Sequence, residues 1–141
     1  MTDNTEIDLV SGISAFESKH FTQAMRLLQP LAEAGESEAQ YRLAIMLQNG
    51  LGVVRNELRA FHWMKTAAQS NHALAQHGLG FMYMDGECVE QNGARAVEWF
   101  TKASEQGLAG SKTTLAMMYQ EGTLVEKDDL KAQQLLKDAG F

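Results

Sequence analysis

The chain is poor in the residues that break or cross-link a backbone: one proline, Pro30, and one cysteine, Cys88, in 141 residues. A lone cysteine cannot make a disulfide within the chain. That excludes a stapled secreted scaffold and makes a reducing cytoplasm the simplest expectation. No apolar run approaches the roughly 20 residues needed to span a bilayer. The N-terminus, Met1-Thr2-Asp3-Asn4-Thr5-Glu6-Ile7-Asp8, has acids but no basic flank or long apolar stretch, and does not read as a secretory leader. Positive charge is scarce as well, with 12 Lys and Arg against 18 Asp and Glu and a net charge of −6. Nucleic acid and anionic membranes require a Lys/Arg footprint, so neither is expected as a partner. Alternating β-branched runs, the mark of strands, are missing too.

Constellations for catalysis or metal binding are equally scarce. His20, His62, His72 and His77 form no His-Glu-x-x-His motif, and no Cys-x-x-Cys pair exists. His72 and His77 are five apart, a poor spacing for a shared metal, and read as surface or groove histidines. Cys88 sits in a loop without an adjacent basic group to lower its pKa. Asn49-Gly50-Leu51-Gly52 lacks the lysine and strand of a phosphate loop. No cofactor, no metal and no catalytic residue is expected.

What the chain has is a repeat. Ala39, Leu43, Gly50, Val53, Ala60, Trp63 and Ala67 return 36 residues later as Ala75, Leu79, Gly86, Val89, Ala96, Trp99 and Ala103. Leu115, Gly122, Val125, Ala132, Leu135 and Ala139 make a third pass. A fixed period of this length marks a stacked array, in which each module buries its apolar side on its neighbours. Within each module the spacing is helical: Ala39, Leu43, Ala44 and Leu47 share one face, and Ala60, Phe61, Met64, Ala67 and Ala68 another. The pattern predicts eight helices, at 5–18, 21–34, 37–49, 57–69, 73–85, 93–106, 109–121 and 129–139.

Helix ends repeat too. Asn56, Asn92 and Asp128 stand just before second helices, where a side-chain oxygen accepts from the first turn. Ser37 with Gln40 has the form of a capping box. Gly35, Asn71 and Gly107 fall where a left-handed residue closes a helix. Pro30 lies inside the second helix and should bend it. Trp63 and Trp99 read as core, with Tyr83, Tyr119 and Leu47.

Ala39-Gln40-Tyr41-Arg42-Leu43-Ala44, Asn49-Gly50-Leu51-Gly52-Val53 and Ala60-Phe61-His62-Trp63-Met64-Lys65-Thr66-Ala67-Ala68 together resemble a Sel-one-like repeat. The resemblance extends through Leu79-Gly80, Tyr83, Gly86, Val89, Ala96 and Trp99-Phe100, and through Leu115-Ala116, Tyr119, Gly122, Val125 and Ala132, covering roughly residues 37–140. The first hairpin, with Gly12 and Ala24, looks closer to a tetratricopeptide repeat. There are departures: Cys88 and Leu124 stand where Gly52 does, Asn71 replaces a terminal glycine, and Leu135 replaces the tryptophan.

The resemblance implies an all-α, right-handed α-solenoid of about four antiparallel helical hairpins. A divergent hairpin at 1–36 would precede repeats at 37–72, 73–108 and 109–141, the last truncated and all one domain. It also implies an adaptor or scaffold, of a kind whose partner is unknown in many bacterial members, and not an enzyme. The Ser-x-x-Lys nucleophile of some β-lactamase-like relatives is absent here.

The binding surface would be the concave face, at the positions two before, and two and five after, the repeated leucine. That gives Tyr41, Ile45 and Gln48, then His77, Phe81 and Met84, then Thr113, Met117 and Gln120, with Ile13 and Glu17 extending it. Ile45, Phe81 and Met117 would form an apolar ridge, and Asn49, Asp85 and Glu121 a rim with acids. The ridge could equally pack first helix against first helix. The partner would be a protein or peptide, with a basic one favoured by the rim. The alternative is self-assembly, a homodimer formed through Leu135, Leu136 and Phe141 on the last helix. A small hydrolase would need convergent titratable groups in a pocket, which the sequence does not supply.

Overall fold

The computed structural model describes residues 4–141. Residues 1–3 of the leader-like test above lie outside the described residues. Among those described there are eight helices and no strand: α1 (Asn4–Glu17), α2 (Phe21–Glu33), α3 (Ser37–Asn49), α4 (Glu57–Gln69), α5 (Ala73–Asp85), α6 (Gly93–Glu105), α7 (Ala109–Glu121) and α8 (Asp129–Asp138). Each expected helix is present within one residue at either end. The chain divides into two compact units, one ending at His72 and the other running from Ala73 to Phe141. Each holds two helical hairpins.

In unit one the core is α2's Ala24, Leu28 and Leu31, α3's Ala39, Leu43, Ala44, Met46 and Leu47, and α4's Ala60, Met64, Ala67 and Ala68. Alanines at the contacts let helix axes approach closely while leucines and methionines fill the space between. Helix α2 runs unbroken through Pro30. In unit two, α5 buries Ala75, Leu79, Gly80, Met82 and Tyr83, and α6 buries Ala96, Trp99, Phe100 and Ala103. A Cβ on Gly80 would sit 2.8 Å from the Phe100 ring, so that glycine makes the space the ring occupies.

The helix starts behave as the spacing implies. Asn56, Asn92 and Asp128 each accept from the backbone N–H three residues on, at 3.0 Å in all three cases. The capping box does not form. Glu36 is the cap residue of α3, without a side-chain bond, and Gln40 turns away to donate from Nε2 to the Ala32 carbonyl at 3.1 Å. That carbonyl, at the α2 terminus, also accepts from the Gly35 N–H at 3.1 Å, so the buried Gln40 amide adds a second bond there and ties α3 to α2. Gly35, Asn71 and Gly107 all have positive φ, as their places at helix ends require.

The loops after the first helices of the three repeats share one device. Arg55, Gln91 and Lys127, 36 apart, donate back to the carbonyls of Gln48, Met84 and Gln120 at 2.8 Å each. The positions that depart from the family pattern resolve differently from one another. Gly52 has φ +69°, and a Cβ there would fall 2.6 Å from the Phe21 backbone. Cys88 keeps the left-handed conformation, at φ +67°, despite its side chain. Leu124 is not among the positive-φ residues, and it packs on Gly93, where a Cβ would collide with the Leu124 carbonyl.

Two burial expectations change. Trp99 is buried but Trp63 is only half-buried, as is Tyr119. Trp63 ends up edge-on to the exposed His62 at 4.9 Å. Leu135 and Leu136 are half-buried on α8, and the exposed apolar groups of that segment are Leu130 and Phe141, at 80% and 83%.

Candidate functional site

The site residues expected from the sequence lie on first helices, and each unit places its own. In unit one, Ile13 of α1 is half-buried and Glu17 exposed. On α3, Tyr41, Ile45 and Gln48 are half-buried. Tyr41 stacks on His72, with ring centroids 4.9 Å apart. His72 is therefore no surface or groove histidine: its side chain is 9% exposed and its Nε2 is 2.7 Å from Glu38 Oε1. Arg42 pairs with the other oxygen of Glu38 and reaches over the Phe16 ring. Burial alone would raise the Glu38 pKa, but the hydrogen bonds from His72 and Arg42 outweigh it and hold the carboxyl below its usual range. Burial pushes the Tyr41 phenol up.

In unit two, His77 and Phe81 meet edge-on at 4.9 Å, and both pack against Phe100. Phe81 thus belongs partly to the core, through a ring of the second helix α6 rather than through a neighbouring first helix. His77 Nδ1 lies 2.7 Å from Ser111 Oγ, and burial lowers the His77 pKa. A serine beside a histidine has the outline of a nucleophile and its base. Ser111 is fully buried, however, as a residue that ties two helices together would be. The contact fastens α5 to the first turn of α7.

Thr113 is half-buried and donates to the Gly110 carbonyl, while Gln120 is exposed. Met84 and Met117 come together. They line a pocket of about 240 Å³ with Met118, Thr114 and Leu124, and Asp85 and Glu121 stand among the lining. Met117 is 53% exposed. The rim residue of unit one, Asn49, instead donates from its amide to the Ile45 carbonyl. No three His, Cys, Asp or Glu side chains converge as metal ligands would, among the described residues. Nor is any helix there long and apolar enough to cross a membrane.

The Sel1 repeat model matches residues 37–72, 73–108 and 114–139. The chain belongs to the Sel1 repeat family. Sel1 repeat proteins are generally protein-interaction modules and typically non-catalytic scaffolds. Among solved structures the chain is similar to a Sel1 repeat protein from Oxalobacter formigenes. Their identity is 30% and the TM-score 0.85, over 94% of this chain and 53% of that one. It is also similar to c5321, a protective antigen present in uropathogenic Escherichia coli strains and displaying an SLR fold. There the identity is 33% and the TM-score 0.88, over 96% of this chain and 30% of that one. The chain thus spans about half and about a third of these Sel1 relatives. No curated protein matches it.

Sequence reasoning passed over the Glu38–His72 and His77–Ser111 contacts. Both join residues 34 apart, one repeat less two. That offset, tested alongside 36, was the signal available.

Proposed function

We propose that this Sel1 repeat chain is a non-catalytic adaptor that holds a peptide or protein segment against the exposed faces of its first helices. The observation that carries the reading is the Met84–Met117 pocket of unit two. It sets Met84, Met117, Met118 and Leu124 beside Asp85, Glu121 and two threonines, and it lies at two of the positions expected to bind. Methionine side chains adapt to varied partners, and an apolar pocket with a polar rim is the usual form of an interface anchor. On unit one, Tyr41, Ile45 and Gln48 would contribute as a second face. The single cysteine fits a reducing compartment such as the cytoplasm.

The test is affinity capture with wild type beside Met84→Asp/Met117→Asp, with Val54→Asp, at an exposed position of unit one, as a control. Helicity is checked for all three. A protein retained by wild type and the control but lost by the pocket variant supports the reading. Equal recovery by all three would overturn it. The runner-up is a homodimer through the exposed Leu130 and Phe141 of the last segment. Light scattering tests it, since a mass that doubles with concentration and reverts in Leu130→Asp would favour it.

A further inference from the structure

The rim of the Met84–Met117 pocket places negative charge where a helix tolerates it least. Asp85 is the last residue of α5 and Glu121 the last of α7, and neither helix has a basic residue in its final turn. Helix C-termini carry partial negative charge, so a carboxylate there is repelled by its own backbone. The equivalent residue of α3 is Asn49, a neutral amide that bonds its own helix. Neither Asp85 nor Glu121 has an ion-pair or hydrogen-bond partner among the described residues. No basic side chain lines the pocket. The nearby Lys127 is already committed to the Gln120 carbonyl and to Asp129, and the loop donor that closes α5, Gln91, is uncharged.

We propose that this pocket receives a basic side chain, lysine or arginine, presented by a protein partner. The aliphatic stem lies on Met84 and Met117, and the cationic head sits between Asp85 and Glu121. The proposal rests on the adaptor reading and names what one of its sites selects. About 240 Å³ is below the roughly 300–1,000 Å³ of sites for whole small molecules, so the cavity takes one side chain rather than a metabolite. Long basic side chains suit such a place, because the stem covers apolar surface while the head stays at the wet rim. Charge complementarity of this kind selects the partner and speeds encounter more than it adds affinity.

The test uses the full chain labelled with methyl-¹³C methionine, the signals being assigned with Met84→Leu and Met117→Leu. Three pools of nine-residue peptides share random flanks and differ at the centre: lysine, norleucine or glutamate. The lysine pool should move the Met84 and Met117 methyls. The norleucine pool, which keeps the stem without the ammonium, should bind about fivefold more weakly, as two partly exposed ion pairs allow. The glutamate pool should leave both methyls in place. Asp85→Asn/Glu121→Gln should equalise lysine and norleucine while raising the thermal midpoint slightly, since helix-end repulsion is relieved. Equal responses to lysine and norleucine in wild type would overturn the cationic assignment and leave peptide binding standing. No response of either methyl to any pool would overturn both. Spermidine matching the lysine pool would overturn the protein source in favour of a free polycation.

Discussion

Unit one gathers a carboxylate, a guanidinium and an imidazole at the start of α3, and unit two leaves two carboxylates at the ends of α5 and α7. At the start of α3, Glu38 is held by Arg42 and by His72, with Tyr41 stacked on the imidazole. The matching place in α5 is Leu74, 46% exposed, and the histidine of that unit bonds a buried serine instead. At the far ends of the same helices, Asn49 bonds its own backbone while Asp85 and Glu121 have no partner among the described residues. The apolar positions and helix-end caps recur through both units. What differs is the polar wiring between them, and that is where units of one family acquire separate properties.

The contrast can be probed unit by unit, because Trp63 lies in unit one and Trp99 in unit two. Trp63→Phe or Trp99→Phe leaves one reporter each. The largest effect is expected from Phe100→Ala, which empties a fully buried ring site against Gly80, His77 and Phe81. Unit two should lose about 3–5 kcal/mol, read from denaturant unfolding by Trp99 fluorescence. A matching shift in the Trp63 signal would erase the contrast by making the units one cooperative body. Next is Gly52→Ala, which adds a side chain at positive φ against the Phe21 backbone. It should cost unit one about 2–3 kcal/mol by the same measurement.

Acid should then separate the units. The folded pKa of His77 lies below its ordinary 6.5, so the unfolded chain takes that proton first. Its stabilisation is full above about 6.5 and declines as pH falls through the window beneath. Glu38 is also lowered, but from 4.5, so its contribution persists until pH drops below that value. Between about pH 6.5 and pH 4.5 the Trp99 signal should therefore show declining stability while the Glu38 contribution to unit one stays intact. His77→Asn should flatten the Trp99 profile, and a decline unchanged in that variant would remove His77 as its cause. The smallest effect is expected of Asn49→Asp, which gives α3 the charged end that α5 and α7 have. Unit one should lose about 0.5 kcal/mol, and the loss should shrink with added salt.

Much of the architecture was legible because helix periodicity, alanine spacing and Asn or Asp caps are local properties, set by residues within one or two turns. Contacts that depend on how a hairpin folds back were not. Gln40 looked like a capping partner because Ser37 precedes it, but a buried carbonyl on α2 claims it. The donors Arg55, Gln91 and Lys127 reach carbonyls seven residues earlier, a reach that only the loop path reveals. His72 looked exposed because its carboxylate lies 34 residues back. Of the surface, the sequence indicated Met84, Met117, Asp85 and Glu121 separately, and their convergence on one pocket depends on α5 lying beside α7. It did not indicate that Phe81 is shared with the core through Phe100.

The loop contacts carry a consequence for how such arrays can be rearranged. Gly52 faces Phe21, and Leu124 faces Gly93, each pair 31 residues apart. In one pair the loop lacks the side chain, and in the other the helix does. The two members of a pair fall in different 36-residue cassettes, so the unit of exchange straddles a repeat boundary. Transplanting the third cassette behind the first hairpin would drive a leucine into the Phe21 backbone. Moving the first cassette into the third place would leave a void beside Gly93. The first and third repeats are therefore each shaped to the helix start of the hairpin before them.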